Sequence, residues 1–158
     1  MPDDITIKPH HYLDILKLYG GGIENFVPDE VYKHDFYHVG NIILCNPHII
    51  LNLRIGADTI CKTCIFSKNG VCTDYVQMID DKKVKKEEWN KTIDQRILKN
   101  IGLKEGVEIT ALALCFLYLD KLKPSIIREI WAERPTTETE QRIVYTIGGL
   151  TKYRNCHS

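Results

Sequence analysis

Three thiols and two imidazoles carry most of the chemistry open to this chain. The segment Cys61-Lys62-Thr63-Cys64-Ile65-Phe66-Ser67-Lys68-Asn69-Gly70-Val71-Cys72 begins with a Cys-x-x-Cys loop, whose two thiolates can converge on one ion. Its Asn69-Gly70 turn can fold Cys72 back towards the same point. Three sulfur donors at this spacing point to a bound metal or cluster more economically than to a redox pair or to incidental surface thiols. Zinc and iron–sulfur clusters both accept thiolates so arranged, and the fourth ligand discriminates between them. A structural zinc site wants four closed ligands, usually two pairs, and no second Cys-x-x-Cys or His-x-x-x-His stands near the first. That weakens zinc somewhat and leaves two readings of Cys61, Cys64 and Cys72, as ligands of a 4Fe-4S cluster or of zinc. Three cysteines leave one iron to a distant residue or an exogenous ligand, and an open iron is a Lewis acid.

The imidazoles are His10 and His11, placed after Pro9 where a strand should give way to a helix. The first turn of a helix presents free backbone N–H groups and a partly positive end, so two histidines there can bind a metal, move a proton or hold an anion. One of them could equally pack on the sheet while the other is solvated. Candidates for the fourth ligand are His10, His11, Asp14, Cys45, Cys115 and Cys156. Of these, Cys115 lies between Leu114 and Phe116 in the most apolar stretch and reads as a small buried hydrophobe. Cys45, beside Asn46-Pro47, reads as packing at a helix end, and Cys156 as a thiol near the chain end. His34 and His38, four apart on an expected second helix, read as surface residues.

The run Ile7-Lys8-Pro9-His10-His11-Tyr12-Leu13, the following Tyr19-Gly20-Gly21-Gly22, Phe26, the segment Ala57-Asp58-Thr59-Ile60-Cys61-Lys62-Thr63-Cys64, and Cys72 together resemble a small uncharacterised family of bacterial and archaeal proteins taken to bind iron and sulfur. Members open with a Pro-His-His-Leu-Leu-Cys type motif and carry an Asp-x-x-Cys-x-x-Cys loop with a further cysteine. Asp94 to Gly106 is similar to the family's next helix and turn, so the likeness covers about the first two thirds of the chain. Asp14 stands where the family's opening motif has a cysteine, and Ile126 to Thr137 replaces a cysteine-rich segment. The resemblance thus implies a cluster whose fourth bond comes from Asp14 or a neighbouring histidine, or whose fourth iron is open. The resemblance, with an expected pairing of the two short strands, places His10 and His11 over the cluster, where His10 or His11 is the expected acid/base and Asp14 the ligand or orienting group. Sulfur removal or hydration of a small molecule, or electron transfer, would suit such a site.

These residues need a scaffold. Ile5-Thr6-Ile7-Lys8 alternates like a short strand, and a helix should run from Pro9 through Leu13, Leu16 and Leu18 to the stop at Gly20-Gly21-Gly22. Asp29 can cap a second helix bearing Val31, Val39, Ile42 and Ile43, ended by Asn46-Pro47. The alternation from Ile49 to Ile55 predicts a half-buried strand that pairs with the first, and Gly56-Ala57-Asp58 turns into the cysteines. Helices are expected over Lys86 to Ile101, Val107 to Leu122, Ser125 to Glu133 and Glu138 to Tyr153. The charged run around Lys82, Lys83, Lys85, Lys86, Glu87 and Glu88 reads as a solvated linker or helix start. Trp89, Trp131, Tyr118, Tyr145 and Tyr153 read as core or interface, and Ile143, Ile147 and Leu150, if outward, as a homodimer face. The expected fold is α+β, mostly α: several helices with a small two-stranded sheet carrying the cysteine-rich loop, in a single domain over 1–158.

At 158 residues and 44% hydrophobic, the chain can bury a real core. Its 21 Lys+Arg balance 21 Asp+Glu, which leaves no bulk basic field for nucleic acid. The longest apolar stretch, Ile109 to Leu119, is shorter than the roughly 20 residues that span a bilayer. No Gly-x-Ser-x-Gly or phosphate loop is present. With no export-like N-terminus, the expected home is the cytoplasm, where clustered cysteines serve metal or chemistry rather than disulfides. The expected partners are a small molecule or a redox protein. The alternative is a zinc-stabilised protein-interaction module.

Overall fold

The computed structural model describes residues 5–158. In chain order it runs β1 (Ile5–Ile7), α1 (Pro9–Gly20), α2 (Phe36–Cys45), β2 (Ile50–Leu53), a single 3₁₀ turn (Ile60–Thr63), β3 (Ser67–Lys68), β4 (Val71–Cys72), β5 (Tyr75–Gln77), β6 (Lys83–Lys85), α3 (Lys86–Ile101), β7 (Glu108–Thr110), α4 (Ala111–Lys121), α5 (Pro124–Ile130) and α6 (Thr136–His157). The class is α+β, mostly α. No helix among the described residues is long and apolar enough to cross a membrane.

Strands β1 and β2 pair in parallel, Ile5 facing Leu51 and Ile7 facing Leu53. The expected pairing is present, but the sheet has a third strand: β7 joins β2 antiparallel, with Ile109 opposite Leu51. Residues 107–110 were expected to begin a helix. Thr110 instead stays extended, and its hydroxyl accepts the N–H of Ala113, so it caps α4 and fixes the start at Ala111. The charged run is not all solvated, because β6 forms a hairpin with β5 and Glu87 is buried on α3.

Asp29 does cap a turn, accepting the N–H groups of Val31 and Tyr32. Lys33 then enters a left-handed conformation (φ 57°), and α2 begins only at Phe36. Val31 is accordingly exposed, and His34 and His38 do not share a helix.

Helices α1 and α6 cross at close quarters. A Cβ on Gly149 would lie 1.7 Å from the carbonyl oxygen of Leu16, and one on Gly20 would lie 2.1 Å from that of Tyr145. The crossing buries Ile143 and Leu150 and packs Ile147 on the core, so the face proposed for a dimer points inward; Val144 and Tyr145 are the exposed apolar side chains there. Trp89, Trp131, Tyr118 and Tyr153 belong to the core, unlike Tyr145. Reciprocal bonds lock α1 to α4: Tyr12 Oη donates to the Ala111 carbonyl at 2.7 Å, and Tyr118 Oη to the Pro9 carbonyl at 3.1 Å.

Candidate metal and small-molecule site

The start of α1 is built to be gripped from outside. Lys8 is extended and Pro9 takes the first helical position, but no nearby side chain caps the free N–H groups. Two buried aspartates from distant segments do so. Asp58 Oδ2 accepts the Lys8 N–H at 2.8 Å, and Asp94 Oδ1, from α3, accepts the His10 N–H at 2.8 Å. The same oxygens take the imidazoles, His11 Nδ1 to Asp58 at 2.7 Å and His10 Nδ1 to Asp94 at 2.8 Å. Each ring in its neutral form then carries its proton on Nδ1 and leaves Nε2 as the basic atom. The rings lie 4.5 Å apart, tilted by 52°.

The spacing Asp-x-x-Cys has a local cause as well. Asp58 Oδ1 accepts the Cys61 N–H at 3.1 Å and so caps the 3₁₀ turn. That turn closes through the Cys64 N–H onto the Cys61 carbonyl. Asn69 and Gly70, both at positive φ, reverse the chain so that Cys72 pairs with Ser67. Cys61, Cys64 and Cys72 consequently line one small cavity of about 20 Å³ with Lys8, Ser67 and Glu87. The same three thiols face a larger cleft of about 370 Å³ that also exposes His10, His11 and Asp14. The turn and the two parallel strands thus bring together the cysteines and the histidines.

The electrostatics follow from burial. Burial alone would raise the Asp58 carboxyl, but the charge and hydrogen bond of His11, with the Lys8 N–H and ammonium, hold it well below the usual carboxylate range. Burial, and then the Asp58 charge, push the Cys61 thiol up to about 11 against the opposing Lys8 ammonium, so this group is a thiol at neutral pH rather than a free nucleophile. Lys8 is 1% exposed, and burial by itself lowers its pKa. A Cys61 thiolate, where it forms, and the carboxylates of Asp58, Asp94 and Glu87 outweigh that and hold the ammonium's pKa above its ordinary value.

Asp14 lines the cleft but is committed elsewhere. Arg142 Nη1 bonds its Oδ1 at 2.9 Å, and Lys17 lies 3.9 Å away. The carboxylates that contact the two imidazoles are those of Asp58 and Asp94. Cys115 is buried, its thiol 3.1 Å from the Leu150 carbonyl, as a packing residue would be. Cys45 is exposed at the end of α2. Cys156 is held within α6 with the Tyr19 hydroxyl 3.7 Å away, at the far end of α1 from His10, and does not line the cleft.

Ligand-capable atoms of His11, Asp58 and Cys61 lie within 4.8 Å of one another, close enough for one ion. Cys64 and Cys72 fall outside that group. Sequence reasoning assigned no role to Lys8, Glu87, Asn90 or Asp94. A signal existed for three of them: Glu87, Asn90 and Asp94 recur at helical spacing on the stripe of Ile97, Leu98 and Ile101, and a polar residue on an apolar stripe needs a reason. Comparison with family models, curated proteins and solved structures yields no match.

Proposed function

We propose that the chain is a small iron–sulfur protein whose Cys61, Cys64 and Cys72 hold a 4Fe-4S cluster, with the cleft beside it binding a small molecule. The observation that carries the reading is that three thiols and two carboxylate-bound imidazoles line one cleft. The donor set fits a cluster: thiolates of a cubane bind separate irons, and these three sulfurs are not all gathered at the spacing of a single-ion site. The buried Lys8 ammonium offsets negative charge at the sulfurs. A bound cluster with one iron free of cysteine would supply Lewis acidity or an electron.

The protein's own part is proton handling and exclusion. Asp58 and Asp94 hold each imidazole through Nδ1, which leaves Nε2 as the atom through which His10 and His11 can take a proton from a molecule in the cleft and return it. Arg142 holds Asp14 ionised at the same wall. The reaction fits a reducing, cytoplasmic setting, in which the six free cysteines keep their thiols. Desulfuration or hydration of a small molecule would use acid, base and Lewis acid together.

One observation favours a second reading. The compact His11, Asp58 and Cys61 group would suit a single zinc ion, giving a zinc-stabilised module with a protein partner. Purification without oxygen, followed by an absorption spectrum and iron, sulfide and zinc analysis, separates the two. A broad visible band with about four irons and four sulfides per chain is expected. One zinc and a colourless protein would replace the cluster by the second reading.

A further inference from the structure

The cleft has a wall that the metal chemistry does not use. Tyr32, His34, Phe36 and Phe66 line it together with charged groups of the site. The Tyr32 and His34 rings are parallel to within 2° at 5.7 Å, and Phe66 stands 5.4 Å from Tyr32. Aromatic faces presented to a cleft bind flat rings better than saturated ones of the same size. The wall is tied to the cysteine segment: Phe66 lies between Cys64 and Cys72, the Ile65 N–H donates to the Tyr32 carbonyl at 2.8 Å, and the Asp35 N–H to that of Ile60 at 3.0 Å. At the same wall the Lys86 ammonium lies 5.4 Å from the Tyr32 centroid, with a loose 3.6 Å pairing to Asp74. His34 Nδ1 is buried with no hydrogen-bond partner among the described residues.

From this we infer that the cleft binds a planar aromatic carboxylate, its ring against Tyr32 and Phe66 and its carboxylate towards Lys86 and His34. The inference rests on the cluster reading only in making that molecule the substrate; the wall itself needs no metal. The segment's two backbone bonds to the cysteine loop place ring and sulfurs on one hydrogen-bonded unit, so the ligand would be held within reach of His10 and His11.

The test is a ligand-observed NMR titration of the full chain, purified without oxygen, with benzoate, cyclohexanecarboxylate and benzamide, and iron and sulfide measured on the same sample. Benzoate should bind at least tenfold more tightly than either analogue. Phe66→Leu and Tyr32→Leu should each weaken it about tenfold, whereas Tyr75→Leu, on the exposed β5, should leave it unchanged. Equal binding of cyclohexanecarboxylate, no binding of benzoate, or indifference to both wall variants would overturn the inference. Benzoate binding through Phe66 in a protein without iron would retain the wall and remove the cluster. A cluster in a protein that ignores benzoate would do the reverse.

Discussion

Asp14 shows how one pair sets the charge of the cleft. Burial would raise its carboxyl, but the Arg142 guanidinium, followed by His10, Lys17 and His11, brings it from an ordinary 3.8 down to about 2. A group with a depressed folded pKa stabilises the fold above its unfolded value and loses that contribution as the pH falls through the folded one. The Asp14 contribution should therefore be full above about pH 4, fade between pH 4 and 2, and vanish below. Its shift is worth at most ~2.5 kcal/mol, reduced by the 27% exposure of the side chain. Asp14→Asn should lower the unfolding free energy by about 1 kcal/mol at pH 7, with the gap to the unchanged protein closing in urea titrations near pH 2. A gap that persists at pH 2 would show that packing, not charge, carries the effect. At this scale the cysteines and histidines were legible because their types are scarce and their spacing is local. Lys8 and Asp94 were not, since each gains its meaning from a partner far along the chain.

Among the elements, helix-forming stretches were read well where the pattern is long and its ends are punctuated. α3 runs from Lys86 to Ile101 as expected, closed by Gly102 at φ 73°. Short elements escaped: β7 is three residues of a stretch that reads equally as helix, and the start of α2 was hidden by the left-handed Lys33. The tight α1–α6 crossing was also invisible, because Gly20 and Gly149 matter only through each other's helix. It is the crossing that brings Arg142 to Asp14. Gly149→Ala should cost more than about 3 kcal/mol, since its Cβ would meet the Leu16 backbone. The neighbouring Gly148→Ala meets nothing within 4 Å and should gain up to about 1 kcal/mol from helix propensity. Denaturant midpoints of the two variants moving together would refute the crossing.

For the whole molecule, the division of labour is between a core and a loop. Helices and the three-stranded sheet enclose the core, to which the cysteine segment contributes little beyond Ile60. The segment Cys61 to Cys72 is half-exposed or exposed throughout. Removing metal should then leave the helical circular dichroism intact while trypsin cuts faster at Lys62 and Lys68. A small zinc module would instead unfold on chelation, and loss of the helical signal would place the metal in the core's stability. The core and the site meet at the two aspartates, which cap α1 and orient its histidines. The fold class was legible in the sequence as a whole, whereas this junction joins three segments remote from one another.

The most direct test is to count iron, sulfide and zinc per chain, under exclusion of oxygen, in the unchanged protein and in Cys64→Ser and Cys156→Ser. The account predicts a cluster in the first that is lost in Cys64→Ser and kept in Cys156→Ser, because Cys64 lines the cleft and Cys156 does not. Metal content that is the same in all three would contradict it.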